Sequence, residues 1–111
     1  MALTRSLKET VKERAEEDPA FRDALLAEGV NALLSGEVDV GKSILRDYVN
    51  AAVGFPKLAE ETGIPVKSLM RMLGPAGNPS ARNLFAILSV LQQSLGAGLR
   101  VRAERKRRRA A

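Results

Sequence analysis

The segment that decides the fold reads FPKLAEETGIPVKSLMRMLG and spans residues 55–74. Gly63 and Pro65 divide it into two short stretches whose apolar residues recur at helical spacing. Glycine accepts the positive φ with which many helices end, and proline cannot continue a helix but can begin one. The pattern therefore predicts helices over about 56–62 and 66–73, joined by a tight turn.

The residue types around this turn suit two helices that cross steeply. Ala59 is small enough for the helices to touch, and Gly63 permits the turn. Ile64 and Leu69 then fill the angle between the helices, and Leu58 extends the contact. This combination is typical of a helix-turn-helix, whose second helix enters the major groove of DNA. A helical hairpin without a DNA role has the same pattern, but the position of this one among several predicted helices favours DNA binding.

The second helix of the motif would present its outward side to the bases. The outward positions are Val66, Lys67, Ser68, Met70 and Arg71. Arg71 could reach guanine O6 and N7, and Lys67 could reach guanine or a phosphate. Val66 and Met70 could contact thymine methyl groups. The alternative for Lys67 and Arg71 is an ordinary solvated surface charge.

Two further groups of residues are candidates for phosphate contacts. At the start of the next predicted helix they are Asn78, Ser80, Arg82 and Asn83. Side chains and free amides at a helix N-terminus can bind phosphate, although Asn78 and Pro79 also suit a simple helix cap. In the C-terminal tail they are Arg105, Lys106, Arg107, Arg108 and Arg109. The tail could follow the DNA backbone or enter a minor groove, or it could be a general polyanion-binding or solubilising segment.

The net charge of +5 belongs to this tail rather than to the body of the protein. Residues 100–109 hold seven of the 18 basic residues and one of the 13 acidic residues, which leaves 11 basic and 12 acidic residues elsewhere. A nearly neutral body is poor support for nucleic-acid binding by itself. The prediction of DNA binding therefore depends on the motif.

The remaining sequence predicts four more helices, over about 6–17, 19–34, 39–53 and 79–95. A capping-box pattern at Ser6–Glu9 would begin the first, and Asp18 followed by Pro19 would begin the second. The alternation of apolar and basic residues over Leu99–Arg102 also allows a short C-terminal strand. The predicted fold class is therefore all-α, a five- to six-helix bundle with a lambda-repressor-like helix-turn-helix.

Composition argues against an enzyme. The chain has no cysteine and no histidine, which removes disulfides, thiol nucleophiles, imidazole bases and the ligands that zinc prefers. Asp47, Glu60 and Glu61 are the acidic residues near the motif, and they do not converge with a nucleophile or a metal-ligand set. A nuclease is the alternative, but the sequence predicts no catalytic residues, no metal and no cofactor.

Hydropathy predicts a protein of the cytoplasm. No apolar run approaches the ~20 residues of a membrane span, and the first six residues lack an apolar signal-peptide core. Hydrophobic residues make up 45% of the chain and aromatic residues only 4%, so Leu, Val, Ile and Ala must fill the core. We expect a cytoplasmic location without membrane contact, and association with the nucleoid when the protein is bound to DNA.

Several stretches taken together resemble a known family. They are LLSGE at 33–37, GKSILRDY at 41–48, GFPKLA at 54–59, KSLMRMLG at 67–74 and GNPSARNLF at 77–85. They are similar to the small addiction-module antidote proteins, which are HigA-like antitoxins with an XRE/Cro-type helix-turn-helix. The likeness covers about residues 20–100 and is most specific from Lys67 to Leu84, whereas the Arg-rich end is not part of the family pattern.

The resemblance implies a role in a type II toxin-antitoxin module. Such a protein neutralises a RelE/ParE-type (HigB-like) toxin, commonly an mRNA-cleaving ribonuclease, and represses its own operon by binding double-stranded operator DNA as a homodimer. The recognition-helix positions named above carry over; the toxin-binding surface does not carry over residue by residue. A stand-alone XRE-family or prophage repressor without a toxin partner is the alternative that the sequence leaves open.

We expect one compact domain with three regions. Residues 1–36 form an N-terminal helical hairpin, residues 37–98 the helix-turn-helix DNA-binding domain, and residues 99–111 the short strand and basic tail. The helices over about 6–34 are not obviously needed for DNA reading and are therefore the candidate toxin-binding region. The last helix and Leu99–Arg102 are the candidate dimer surface, because their apolar residues exceed the needs of one small core.

Overall fold

A computed structural model describes residues 3–96 and 98–106 of the chain. Its helices are α1 (Leu3–Glu17), α2 (Pro19–Leu34), α3 (Val38–Tyr48), α4 (Phe55–Thr62), α5 (Val66–Met72) and α6 (Ala81–Leu95). A π-helical turn, Val49–Val53, continues α3, and the Gly54 amide that follows it donates to the Val49 carbonyl at 2.6 Å. No strand occurs among the described residues, so the predicted all-α class is confirmed.

The junction between α1 and α2 forms as predicted. The Asp18 carboxylate accepts hydrogen bonds from the amides of Ala20 at 3.0 Å and Phe21 at 3.3 Å, and a proline occupies the first turn of α2. These bonds satisfy amides that the first helical turn leaves free. The Arg22 guanidinium donates to the Ala15 carbonyl at 2.8 Å and thereby joins α2 to the last turn of α1.

The N-terminal end of α6 differs from the prediction. The helix begins at Ala81 rather than at 79, because the Ser80 hydroxyl accepts the Asn83 amide at 3.1 Å and is the N-cap in place of Asn78 and Pro79. Its C-terminal end is as predicted, with Gly96 in the left-handed region at φ +67°. The start of α1 also differs: the helix begins at Leu3, before the capping-box pattern.

The allowed strand at Leu99–Arg102 does not form, and the described residues from 98 to 106 are irregular. A strand needs a neighbouring strand to satisfy its amides, and residues 3–96 and 98–106 contain none. The Leu99 amide instead donates to the Gln92 side-chain oxygen at 2.8 Å, and the Leu99 side chain packs against the core. The start of the tail is therefore attached to α6 near its C-terminal end, at Gln92.

One apolar core joins α2 through α6. Its buried members are Leu26, Leu45, Tyr48, Val49, Phe55, Leu58, Leu69, Leu73, Ile87, Leu88, Val90 and Leu91. Aliphatic residues dominate, as composition required. Helices α2 and α3 approach closely at Gly41, where an added Cβ would lie 2.6 Å from the Leu33 side chain. The same position packs against the Gly29 carbonyl of α2, so a side chain larger than hydrogen at Gly41 would push the two helices apart.

The Tyr48 side chain is the polar exception in this core. It is fully buried, and its hydroxyl has no hydrogen-bond partner among the described residues. Burial raises the pKa of Tyr48 to about 12, from an ordinary value of 10.0. The folded protein therefore keeps the phenol protonated at a pH where the unfolded chain loses the proton.

Replacing Tyr48 with phenylalanine is expected to leave stability at neutral pH unchanged or slightly higher, because a buried hydroxyl without a partner does not stabilise the fold. In the wild type, ionisation of Tyr48 leaves the free energy of unfolding unchanged below about pH 10 and lowers it by about 2–3 kcal/mol as the pH rises to about 12. The variant lacks this fall. Denaturant unfolding of both proteins across this range measures it, and absorbance of the single tyrosine reports ionisation. A marked loss of stability in the variant at neutral pH would contradict the prediction.

Candidate nucleic-acid interface

The turn between α4 and α5 is held by short-range hydrogen bonds. Gly63 adopts φ +76° and its amide donates to the Ala59 carbonyl at 2.8 Å, which ends α4. The Thr62 hydroxyl donates to the Leu58 carbonyl at 2.7 Å and accepts the Ile64 amide at 3.2 Å. The direction in which the chain enters α5 is therefore set by the backbone and one hydroxyl, as well as by the core.

The residues expected to pack this junction lie together. Leu58 and Leu69 are completely buried, and Ala59 and Ile64 are half-buried against the same core. Leu73, directly after α5, is also buried. One side of α5 is thus attached to the protein by large apolar side chains, and the angle between α4 and α5 cannot change without opening the core.

The opposite side of α5 is accessible. Lys67, Met70 and Arg71 are exposed, and Met70 has 39% of its surface accessible. Ser68 is half-buried. Val66 differs from the expected outward placement, because it packs against the core at the first turn of α5. The accessible face of α5 therefore consists of two basic side chains and a flexible apolar one.

The start of α6 adds polar groups. Asn78, Ser80 and Arg82 are exposed, and Asn83 is half-buried. The Ser80 hydroxyl and the Asn83 amide are paired with each other in the N-cap, so Ser80 has a structural role here. Arg82 and Asn78 have no such role in the described hydrogen bonds and are accessible from solvent.

The basic tail is only partly described. Arg105 and Lys106 are exposed, and the predicted contacts at Arg107, Arg108 and Arg109 lie outside the described residues. Gln92 holds the root of the tail: its amide nitrogen donates to the Leu88 carbonyl at 3.2 Å, and its oxygen accepts the Leu99 amide.

Sequence reasoning missed Lys42, on α3. Its side chain is buried, and its ammonium donates to the Gly77 carbonyl at 2.6 Å, in the connection between α5 and α6. The sequence does contain a sign of this burial. Lys42 precedes Leu45 by three residues and Val49 by seven, and therefore lies within the apolar stripe of its helix. A charge in such a stripe needs a buried partner, but the sequence does not show which one.

Other chemistry is limited in the part of the chain that the structure describes. No group of three or more acidic, histidine or cysteine side chains there could hold a metal ion. No described helix has both the length and the apolar character needed to cross a membrane. The accessible faces of α5 and α6 are therefore the best-defined candidate site.

Comparison of this chain with protein-family models, with curated proteins and with solved structures found no match. The resemblance to HigA-like antitoxins therefore stays a prediction that rests on the motifs quoted above.

Proposed function

We propose that α4, the turn and α5 form a lambda-repressor-like helix-turn-helix, and that the protein is a sequence-specific regulator that binds double-stranded DNA. The observation that carries this proposal is the two-sidedness of α5. Leu69 is completely buried, whereas Lys67 and Arg71 are exposed to solvent. A helix that reads the major groove must pack against its own protein on one side and present hydrogen-bond donors to the bases on the other.

The groups around α5 support binding to the DNA backbone. Arg82 and Asn78 are exposed near the N-terminus of α6, where free helical amides and the helix dipole favour phosphate. The basic tail adds charge that is independent of base sequence. In this proposal α5 selects the site, and the N-terminus of α6 and the tail supply contacts to phosphate.

The proposal includes a homodimer, because one recognition helix reads too few base pairs for useful specificity. Phe85 on α6 is 64% exposed, and Val101 in the following segment is 79% exposed. Large apolar side chains in solvent favour contact with a second copy. These residues support α6 and the segment after it as the dimer surface.

We extend the proposal to an antitoxin that binds a RelE/ParE-type toxin, on the basis of the family resemblance. A groove of about 600 Å³ between α2 and α3 supports a protein partner, since Glu28 and Glu37 line it and Val40 is 48% exposed beside them. Carboxylates beside exposed apolar side chains suit a small basic protein. Coexpression with the product of a neighbouring gene for such a protein separates this function from a stand-alone repressor.

The direct test of DNA binding is selection of oligonucleotides from a random duplex pool by the purified protein. The expected result is one enriched sequence with two symmetric half-sites about one helical turn apart, which also reports the dimer. A pool without any enriched sequence, at a salt concentration that suppresses non-specific binding, would contradict the proposal.

Arg71→Ala is expected to weaken binding to the selected site by about 1–3 kcal/mol and to relax base preference at one position of each half-site. The physical reason is the loss of a paired donor to one base. Titration of the selected duplex, and of duplexes changed at each position, measures both effects. Lys12→Ala, which removes an exposed charge from α1, is the matched control and should change neither.

A further inference from the structure

Lys42 crosses from α3 to the connection between α5 and α6, 35 positions further along the chain. Only 4% of the residue is accessible, and its ammonium donates to the Gly77 carbonyl at 2.6 Å. The nearest carboxylate oxygen belongs to Asp39, at 3.5 Å, but that side chain is 88% exposed. Solvent screens such a pair, so the bond to Gly77 is the main buried interaction of the ammonium.

The connection that Lys42 holds is closely packed against the end of α5. A Cβ at Gly77 would overlap the Arg71 carbonyl and lie 2.7 Å from the Met72 carbonyl. The Gly77 amide donates to the Gly74 carbonyl at 3.1 Å, and the Gly74 amide donates to the Arg71 carbonyl at 3.0 Å. A continuous series of contacts therefore runs from Lys42 through this connection to Arg71.

The charge of Lys42 is informative because of where it lies. Lys42 shares the buried face of α3 with Leu45 and Tyr48, where an apolar residue would fill the space without the cost of desolvating an ammonium. An apolar residue would, however, leave the Gly77 carbonyl without this donor. The bond to Gly77, rather than filling of the core, is what a lysine provides at this position.

We propose that Lys42 is a positioning residue for DNA recognition. By holding the Gly77 carbonyl, it fixes the segment 74–80 and thereby the distance and angle between Arg71 at the end of α5 and the N-terminus of α6. Base and phosphate contacts must be made at the same time, so a loose connection would weaken sequence-specific binding while it leaves non-specific attraction unchanged. This inference rests on the proposed DNA-binding function.

The test compares Lys42→Met, which keeps the aliphatic stem and removes the donor, with Asp39→Asn as the matched control. We expect the Met variant to lose about tenfold or more in affinity for the selected duplex, and less than about twofold for a scrambled duplex at the same salt. Amide hydrogen exchange at Gly77 should become faster in this variant. Asp39→Asn should change none of these values. If Lys42→Met does not fold, Lys42→Gln takes its place with the same expectations, because the glutamine side chain is too short to bring its amide donor to the Gly77 carbonyl.

Two results would overturn the inference. One is unchanged discrimination between the duplexes together with unchanged exchange at Gly77. The other is an equal loss for both duplexes, because that is the effect of removing a charge and not of disturbing a geometry. If the wild-type protein selects no sequence at all, the proposed function fails, while the exchange measurement still decides whether Lys42 holds the segment. The two failures are therefore distinguishable.

Discussion

Replacing Leu69 with alanine is expected to lower the free energy of unfolding by about 2–5 kcal/mol. Leu69 has no accessible surface, and its side chain belongs to the same buried core as Leu58 of α4. Truncation removes apolar contacts and leaves a cavity that the rigid turn before α5 cannot close. Denaturant unfolding monitored by circular dichroism measures the change, with an unchanged m-value as the check on two-state behaviour.

Met70→Ala is the matched control, because Met70 is the next residue of the same helix and is partly exposed. Its effect on stability should stay within about 0.5 kcal/mol, the usual range for surface substitutions. Equal destabilisation by the two changes would mean that α5 is not held by Leu69 from one side. The two-sided description of α5, and with it the main support for DNA recognition, would then be wrong.

Deleting residues 104–111 is expected to weaken binding to every duplex by a similar factor and to reduce the salt dependence. If all five basic residues of Arg105–Arg109 contact phosphate, the slope of log affinity against log salt should become shallower by about 4 to 5. The cause is the loss of counterion release, which carries no information on base sequence. Titrations of selected and scrambled duplexes at several salt concentrations measure the effect.

Deletion of Ala110 and Ala111 alone is the control for shortening the chain, since it leaves every basic residue in place. It should not alter the salt slope. The roles assigned to α5 and to the tail would be exchanged if deletion of residues 104–111 abolished sequence preference while Arg71→Ala had no effect. The deletion begins after the hydrogen bond between the Leu99 amide and Gln92, so it leaves the attachment of the preceding residues to α6 in place.

Local signals predicted most of the helices. Asp18 caps α2 because its carboxylate bonds to amides two and three residues ahead, and no distant residue takes part. Gly63 and Gly96 end their helices in the left-handed region, a preference that belongs to glycine itself. The cap of α6 is Ser80 and not the expected Asn78, because serine and asparagine both suit an N-cap and the local sequence does not show which of them begins the helix.

Features that depend on distant parts of the chain were missed or misjudged. The alternation at Leu99–Arg102 allowed a strand, but the described part of the chain holds no second strand to pair with it, and Gln92 accepts the Leu99 amide instead. Val66 was expected to face outward, yet it is half-buried and packs against the core. Helical spacing alone does not show which residues of a short helix meet the rest of the protein.

The amino-acid order by itself determined the all-helical class, the positions of the main turns and the residues that meet where α4 joins α5. These follow from φ preferences, capping and apolar periodicity, which act over a few neighbouring residues. Only the tertiary structure decided that Lys42 is buried against the Gly77 carbonyl and which side chains of α5 reach solvent. Burial and hydrogen bonding between residues far apart in the chain depend on how whole helices pack, and no local pattern records that arrangement.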